Sequence, residues 1–226
     1  MINGSEEKNK EKAARLLEGA YAVVTPSDSV SYYKEFAGIY DDQFAQQLGY
    51  VYPHMLAEVY SDSALQTDNP ILDVGCGTGL VAQALADAGK GHLDIDGLDI
   101  SADMLKNAAK KNLYRSLYEA DLTLGTEALR GDYGAIVSAG TFTFGHLGPQ
   151  VLPELLSLGK AGTLHCIGVN SVYYEEQGFM ATLETMVGQN LITQPETLVK
   201  NIYASEQPGN NEHINDTATV LVYRQK

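Results

Sequence analysis

With 226 residues, 44% of them hydrophobic, the chain is long enough for one full-sized domain with a large core. A formal net charge of −14 argues against a nucleic-acid partner, because holding a phosphate backbone needs a basic face. The cysteines, Cys76 and Cys166, give neither a disulfide framework nor metal-ligand spacing. Both sit in apolar surroundings and read as small buried thiols, so no metal site is expected. The one basic cluster, Lys106, Lys110, Lys111 and Arg115, reads as a solvated helix face. The start of the chain is polar and partly acidic, without an apolar signal core, and no run of roughly 18 apolar residues occurs anywhere. A cytoplasmic protein that does not enter the membrane, a monomer or a homodimer, is the expectation.

In chain order, residues 5–21 predict a helix. Ser5 can cap it, Glu6 and Glu7 suit its positive end, and Ala13, Leu16, Leu17 and Ala20 make one apolar stripe. A second helix is expected over 29–48, broken near Gly38, and a third over 53–60 with Pro53 in its first turn. Together they read as an N-terminal helical cap, residues 1–65. From Pro70 onward, short apolar runs alternate with helical ones. Strands are expected at 71–74, 93–100, 115–120, 133–139, 162–169, 198–204 and 217–223. Helices are expected at 80–88, 102–112 and 150–158. Such alternation predicts a mostly parallel sheet between two helical layers, a three-layer α/β/α Rossmann-like sandwich of seven strands over residues 66–226. The last two strands, joined by the turn-rich stretch 206–212, predict an antiparallel edge hairpin.

In an open parallel sheet, ligands bind beyond the carboxyl ends of the central strands. Asp73-Val74-Gly75-Cys76-Gly77-Thr78-Gly79 lies at the first such end. Gly75 and Gly77 have no side chain to block a ligand, and the N–H groups opening the next helix favour negative partial charge. Asp99 ends the second strand, about 20 residues past Gly79, where a carboxylate can hold both hydroxyls of a ribose. It could equally cap the next helix. Asp94 and Asp96, earlier on that strand, are expected to face solvent. Asp121 and Leu122 end the third strand, where they could meet an adenine or form a surface turn. The glycine spacing, GxGxG, separates two ligand classes. A nicotinamide dinucleotide needs GxGxxG for its pyrophosphate, and Leu80 stands where the last glycine would be.

LDVGCGTG, LDIS, EADLT and DYGAIVSAG, spread over residues 70–170, resemble the motif series of class I S-adenosylmethionine-dependent methyltransferases. Residues 32–41 and 112–117, with Asp121-Leu122-Thr123, resemble the methyltransferase-like family named for the Williams–Beuren syndrome region. The resemblance implies that Gly75, Cys76 and Gly77 approach the methionine part of the donor and that Asp73 orients its ammonium through water. It implies that Asp99 holds the ribose, Ile100 and Met104 wall the adenine, Asp121 and Leu122 touch its edge and face, and Ala139 borders the sulfonium. Tyr33 or Tyr40 would close over the carboxylate, unless they are helix-core residues.

The acceptor should then sit against residues 138–147. His146 is the candidate general base there, or a solvated loop histidine. Phe142, Phe144, Tyr173 and Tyr174 are either an aromatic acceptor pocket or core. The segment contains no Asn-Pro-Pro-Tyr-like tetrad and no carboxylate for a divalent metal or for an aminopropyl-accepting amine. The expected function is O- or N-methylation of a small-molecule acceptor. The alternatives are a non-catalytic S-adenosylmethionine-binding protein and, further off, an NAD-dependent oxidoreductase.

Overall fold

The computed structural model describes residues 49–126, 129, 131–204 and 213–226, with residues 18, 19, 25, 28 and 32 before them. Apart from those isolated positions, the helices expected over 5–21 and 29–48 lie outside the described residues, as do Tyr33, Tyr40 and the stretch 206–212.

Seven strands form one sheet: β1 (Ile71–Val74), β2 (Ile95–Asp99), β3 (Ser116–Glu119), β4 (Tyr133–Phe142), β5 (Gly159–Asn170), β6 (Glu196–Asn201) and β7 (Thr217–Arg224). Their order is β3-β2-β1-β4-β5-β7-β6. β1 pairs in parallel with β2 on one side and β4 on the other. β7 is antiparallel to both β5 and β6, which gives the expected edge hairpin. β4 runs on to Phe142, past the expected end at Ala139, and β5 starts three residues early, at Gly159.

Helices cover both faces. Ile71, Ile95, Val137 and Cys166 pack under α1 (Tyr52–Ser63) and α2 (Leu80–Leu85). Leu72, Val74, Ile136 and Ile167 pack against α4 (Val151–Leu155) and α6 (Phe179–Gly188). Between them in sequence lie α3 (Ala102–Lys110) and α5 (Ser171–Glu176). Ser101 caps α3 through its hydroxyl, which accepts the Met104 N–H at 3.3 Å. Of the basic cluster, Lys106 pairs with Asp103 and Lys110 donates to Asn107 on the helix, whereas Arg115 lies beyond it and binds Asp96.

Asp96 corrects an expectation. It is 1% exposed, because helices cover both faces of β2 and every residue from Ile95 to Leu98 is buried. Its carboxylate is satisfied by Arg115, at 3.0 and 2.7 Å, and by the Tyr133 hydroxyl at 2.8 Å. A second buried carboxylate, Asp68, takes two hydrogen bonds from Arg224 at 2.9 and 2.8 Å. Arg224 also donates to the carbonyl of Ser63, so it ties the end of α1 to the sheet.

His165 of β5 is fully buried and stacks on Tyr223 of β7, with ring centroids 4.7 Å apart. Burial lowers its pKa to about 3, with the Gln225 side chain opposing. The unfolded chain protonates this ring near pH 6.5 and the folded chain does not. Its contribution to stability is therefore complete above that pH and falls by about 1.4 kcal/mol per pH unit as the pH drops toward 3. Urea melts at pH 7 and pH 5 should show the wild type losing about 2 kcal/mol relative to His165→Leu. An unchanged difference between the two proteins would contradict this account.

Candidate active site

The strand order reverses between β1 and β4, and a cleft opens beyond the carboxyl ends of both. It encloses about 980 Å³, counting the part open to solvent, the size of a small-molecule site.

β1 passes into α2 through the glycine turn. Gly75 and Gly77 both have left-handed backbone, φ 66° and 53°. They serve different ends. A Cβ on Gly75 would collide with the side chain of Thr141, whose hydroxyl lies 3.3 Å from the carbonyl oxygens of Val74 and Gly75. A Cβ on Gly77 would meet nothing within 4 Å. Gly75 is bare so that β4 can pack on the turn, and Gly77 is bare toward the cleft. The Cys76 N–H donates to the Leu98 carbonyl at 2.9 Å, which fastens the turn to the end of β2.

Asp99 completes that fastening. Its carboxylate accepts the Gly77 N–H and the Ser101 N–H, both at 2.8 Å. Burial raises its pKa, and the N–H groups of Ser101, Gly77 and Ile100 oppose the rise. A carboxylate offers about four acceptor positions, so capacity remains for the hydroxyls of a ligand. The cap of α3 is Ser101 rather than Asp99.

Apart from Asp73, the predicted site residues that are described fall on the same cleft. Gly75, Cys76, Gly77, Asp99, Ile100, Met104, Asp121 and Leu122 all line it. Asp121 holds Thr123 through one oxygen, which accepts the N–H at 2.8 Å and the hydroxyl at 2.6 Å. Ala139 and His146 line the side formed by β4 and the loop after it. Asp73 does not line the cleft. It is fully buried beneath the turn, with one carboxylate oxygen 2.7 Å from the Tyr114 hydroxyl.

The aromatic residues considered for an acceptor pocket are elsewhere. Phe142 is fully buried against Phe179, and Phe144 and Tyr173 meet edge to face at 4.7 Å. With Tyr174 they belong to the packing around α5 and α6, not to the cleft lining. Tyr50 and Thr141 do line the cleft and carried no motif in the sequence. Tyr50 reaches it because residues 49–51 pair with the chain just after β6, through Val51 N–H to Ile202 O at 3.0 Å and Ala204 N–H to Gly49 O at 2.8 Å. Among the described residues no cluster of His, Cys, Asp and Glu could hold a metal ion, and no helix is long and apolar enough to cross a membrane.

Residues 71–161 match the family described as a methyltransferase domain. No curated protein sequence matches the chain. Several solved structures share its fold. The plantazolicin methyltransferase BpumL, solved in complex with S-adenosylhomocysteine, is 13% identical over 100% of both chains with a TM-score of 0.57. Magnesium protoporphyrin IX methyltransferase (ChlM) from Synechocystis PCC 6803, also with bound S-adenosylhomocysteine, is 17% identical over 88% of this chain and 98% of its own, with a TM-score of 0.57. Precorrin-6y C5,15-methyltransferase from Geobacter metallireducens GS-15 is 16% identical over 75% of this chain and 86% of its own, with a TM-score of 0.55. At such identities the likeness is one of fold.

The matched domain begins at β1 and carries the glycine turn, within a sheet of the order seen here. These features define a class I methyltransferase fold. Residues 71–161 match a methyltransferase domain, and the chain shares the fold of BpumL and ChlM, both solved with S-adenosylhomocysteine.

Proposed function

We propose that the protein is an S-adenosylmethionine-dependent methyltransferase that acts on an oxygen or nitrogen nucleophile of a small-molecule acceptor, mainly by alignment, with His146 as its general base. The observation that carries the reading is that His146, Gly77 and Asp99 line one cleft. S-adenosylmethionine supplies an electrophilic sulfonium methyl group when bound there. Asp99 accepts hydrogen bonds from the ribose hydroxyls. Ile100, Met104 and Leu122 wall the adenine, and Asp121 turns its second oxygen to the amino group. Gly75, Cys76, Gly77 and Ala139 border the methionine end. Holding two reactants in line can lower a barrier by roughly 7–11 kcal/mol, so the acceptor's fit matters more than any single group.

The state of His146 follows from its neighbours. Its Nδ1 lies 3.0 Å from the carbonyl oxygen of Phe144, and a carbonyl only accepts. The neutral ring therefore carries its proton on Nδ1 and a lone pair on Nε2. Burial lowers its pKa below 6.5, the Phe144 carbonyl opposing, so the ring is neutral at pH 7; Nε2 is buried, and the base role requires the ring to turn toward the acceptor.

Transfer of a labelled methyl group to a panel of amines, phenols and carboxylates tests the reading. A hydroxyl acceptor should show kcat/KM level from pH 8 to below pH 6.5 and falling only under the lowered pKa. His146→Gln should remove that acid limb and reduce the rate by roughly 10²–10⁴-fold. A variant with the wild-type rate and profile excludes His146 as base. No product from any acceptor, with the cofactor still bound, favours the non-catalytic binding protein.

A further inference from the structure

We infer that Tyr114, which precedes β3, is a positioning residue for the cofactor: it holds the Asp73 carboxylate and the Gly75–Gly79 turn in the form that receives it. The inference rests on the cofactor reading above. Tyr114 lies in the connection between α3 and β3, yet its hydroxyl crosses beneath the turn and donates to Asp73 at 2.7 Å. Its ring fills the space between two glycines. A Cβ on Gly79 would stand 2.9 Å from one ring carbon, and a Cβ on Gly97 of β2 would stand 2.9 Å from another. Gly79, already held to glycine by its left-handed backbone (φ 88°), thus has Tyr114 rather than open cleft where a Cβ would stand, and Gly97 faces the ring from β2 beside Leu117 and Cys76.

The hydroxyl has a second consequence. Asp73 is fully buried, and its other oxygen makes no hydrogen bond. The groups facing it among the described residues are Tyr114 from the connection, Asp99 from β2 and the Cys76 thiol from the turn. Burial pushes the Asp73 pKa up to about 7, the Tyr114 hydroxyl pulls it down, and the Asp99 charge pushes it up. Of these neighbours only the tyrosine favours the ionised form. With its hydroxyl in place, Asp73 is about half ionised at pH 7 and more fully above it, directly under the turn that approaches the cationic end of the cofactor. Without it, the pKa rises further, the ionised fraction at neutral pH falls, and that attraction weakens.

The test compares wild type with Tyr114→Phe, which keeps the ring and removes the donor. S-adenosylhomocysteine, which bears the same ammonium group, is titrated by calorimetry from pH 6 to pH 9. An upward shift of one pH unit in Asp73 would leave about a tenth of it ionised at pH 7 instead of half. The variant should bind about fivefold more weakly at pH 7 and match wild type near pH 9. A packing role alone would change affinity equally at every pH. The ¹³C shift of the Asp73 carboxyl carbon, followed in the ligand-free protein, reads the same link without cofactor, and its midpoint should rise in the variant. Superimposable binding curves, or an unmoved Asp73 midpoint, overturn the proposal. A wild type that binds no S-adenosylhomocysteine at any pH overturns the cofactor reading itself, and with it the role of Tyr114 toward that ligand.

Discussion

Asp99→Ala should cost the protein most of its cofactor affinity. Two ribose hydroxyls donating to a carboxylate contribute roughly 1.5–3 kcal/mol each, so their loss corresponds to a dissociation constant higher by about 10²–10⁴-fold. The structure adds a second effect. The Gly77 and Ser101 N–H groups both donate to this carboxylate. Truncation leaves two backbone donors without it, at about 1–3 kcal/mol for each that water does not reach. The variant should therefore melt below wild type, with the glycine turn loosened. Asp99→Asn keeps the shape and an acceptor oxygen, and should fall between the two. Calorimetry with S-adenosylhomocysteine and a thermal melt check both effects. Affinity within threefold of wild type for Asp99→Ala would take Asp99 out of the site.

The two glycines of the turn should separate cleanly. Gly75→Ala forces a side chain into left-handed backbone, at roughly 1–2 kcal/mol, and drives it into Thr141, with overpacking at roughly 1–3 kcal/mol more. Unfolding should become easier by about 2–5 kcal/mol. Gly77→Ala has only the backbone term, because nothing stands where its Cβ would go. It should lose about 1–2 kcal/mol of stability but lose cofactor affinity, since the new methyl group enters the cleft. Denaturant melts and calorimetry on both variants decide the matter. Equal stability losses would contradict the packing role given to Thr141.

Much of this arrangement was legible in the sequence because the chemistry needs particular residues at strand ends. A turn between a buried strand and a helix, with left-handed positions at 75 and 77, requires glycines. The carboxylates at 99 and 121 follow the next two strands. Other features lie outside what local pattern can show. Alternation along β2 grouped Asp96 with Asp94, but a strand covered on both faces does not alternate, and only the fold brings Arg115 and Tyr133 to Asp96. Tyr114 and Asp73 are 41 residues apart, so no spacing marks the pair. Helices α5 and α6 were missed between the fifth and sixth strands, although Phe179, Leu183 and Met186, all buried, follow helical spacing. Gly178, with φ 79°, breaks the run just ahead of them and hides the pattern. The acceptor side carries the weakest signal. His146 alone bears chemistry there, while Tyr50 reaches the cleft only through pairing with the chain after β6.

The central claim is that the cleft between β1 and β4 receives S-adenosylmethionine, and ligand-dependent melting tests it most directly. S-adenosylhomocysteine at about 100 times its dissociation constant should stabilise the protein by roughly 2.7 kcal/mol. In a chain of this length that raises the melting temperature by about 5–10 °C, and NADH at the same concentration should leave it unchanged. A rise with NADH and none with S-adenosylhomocysteine would contradict the account.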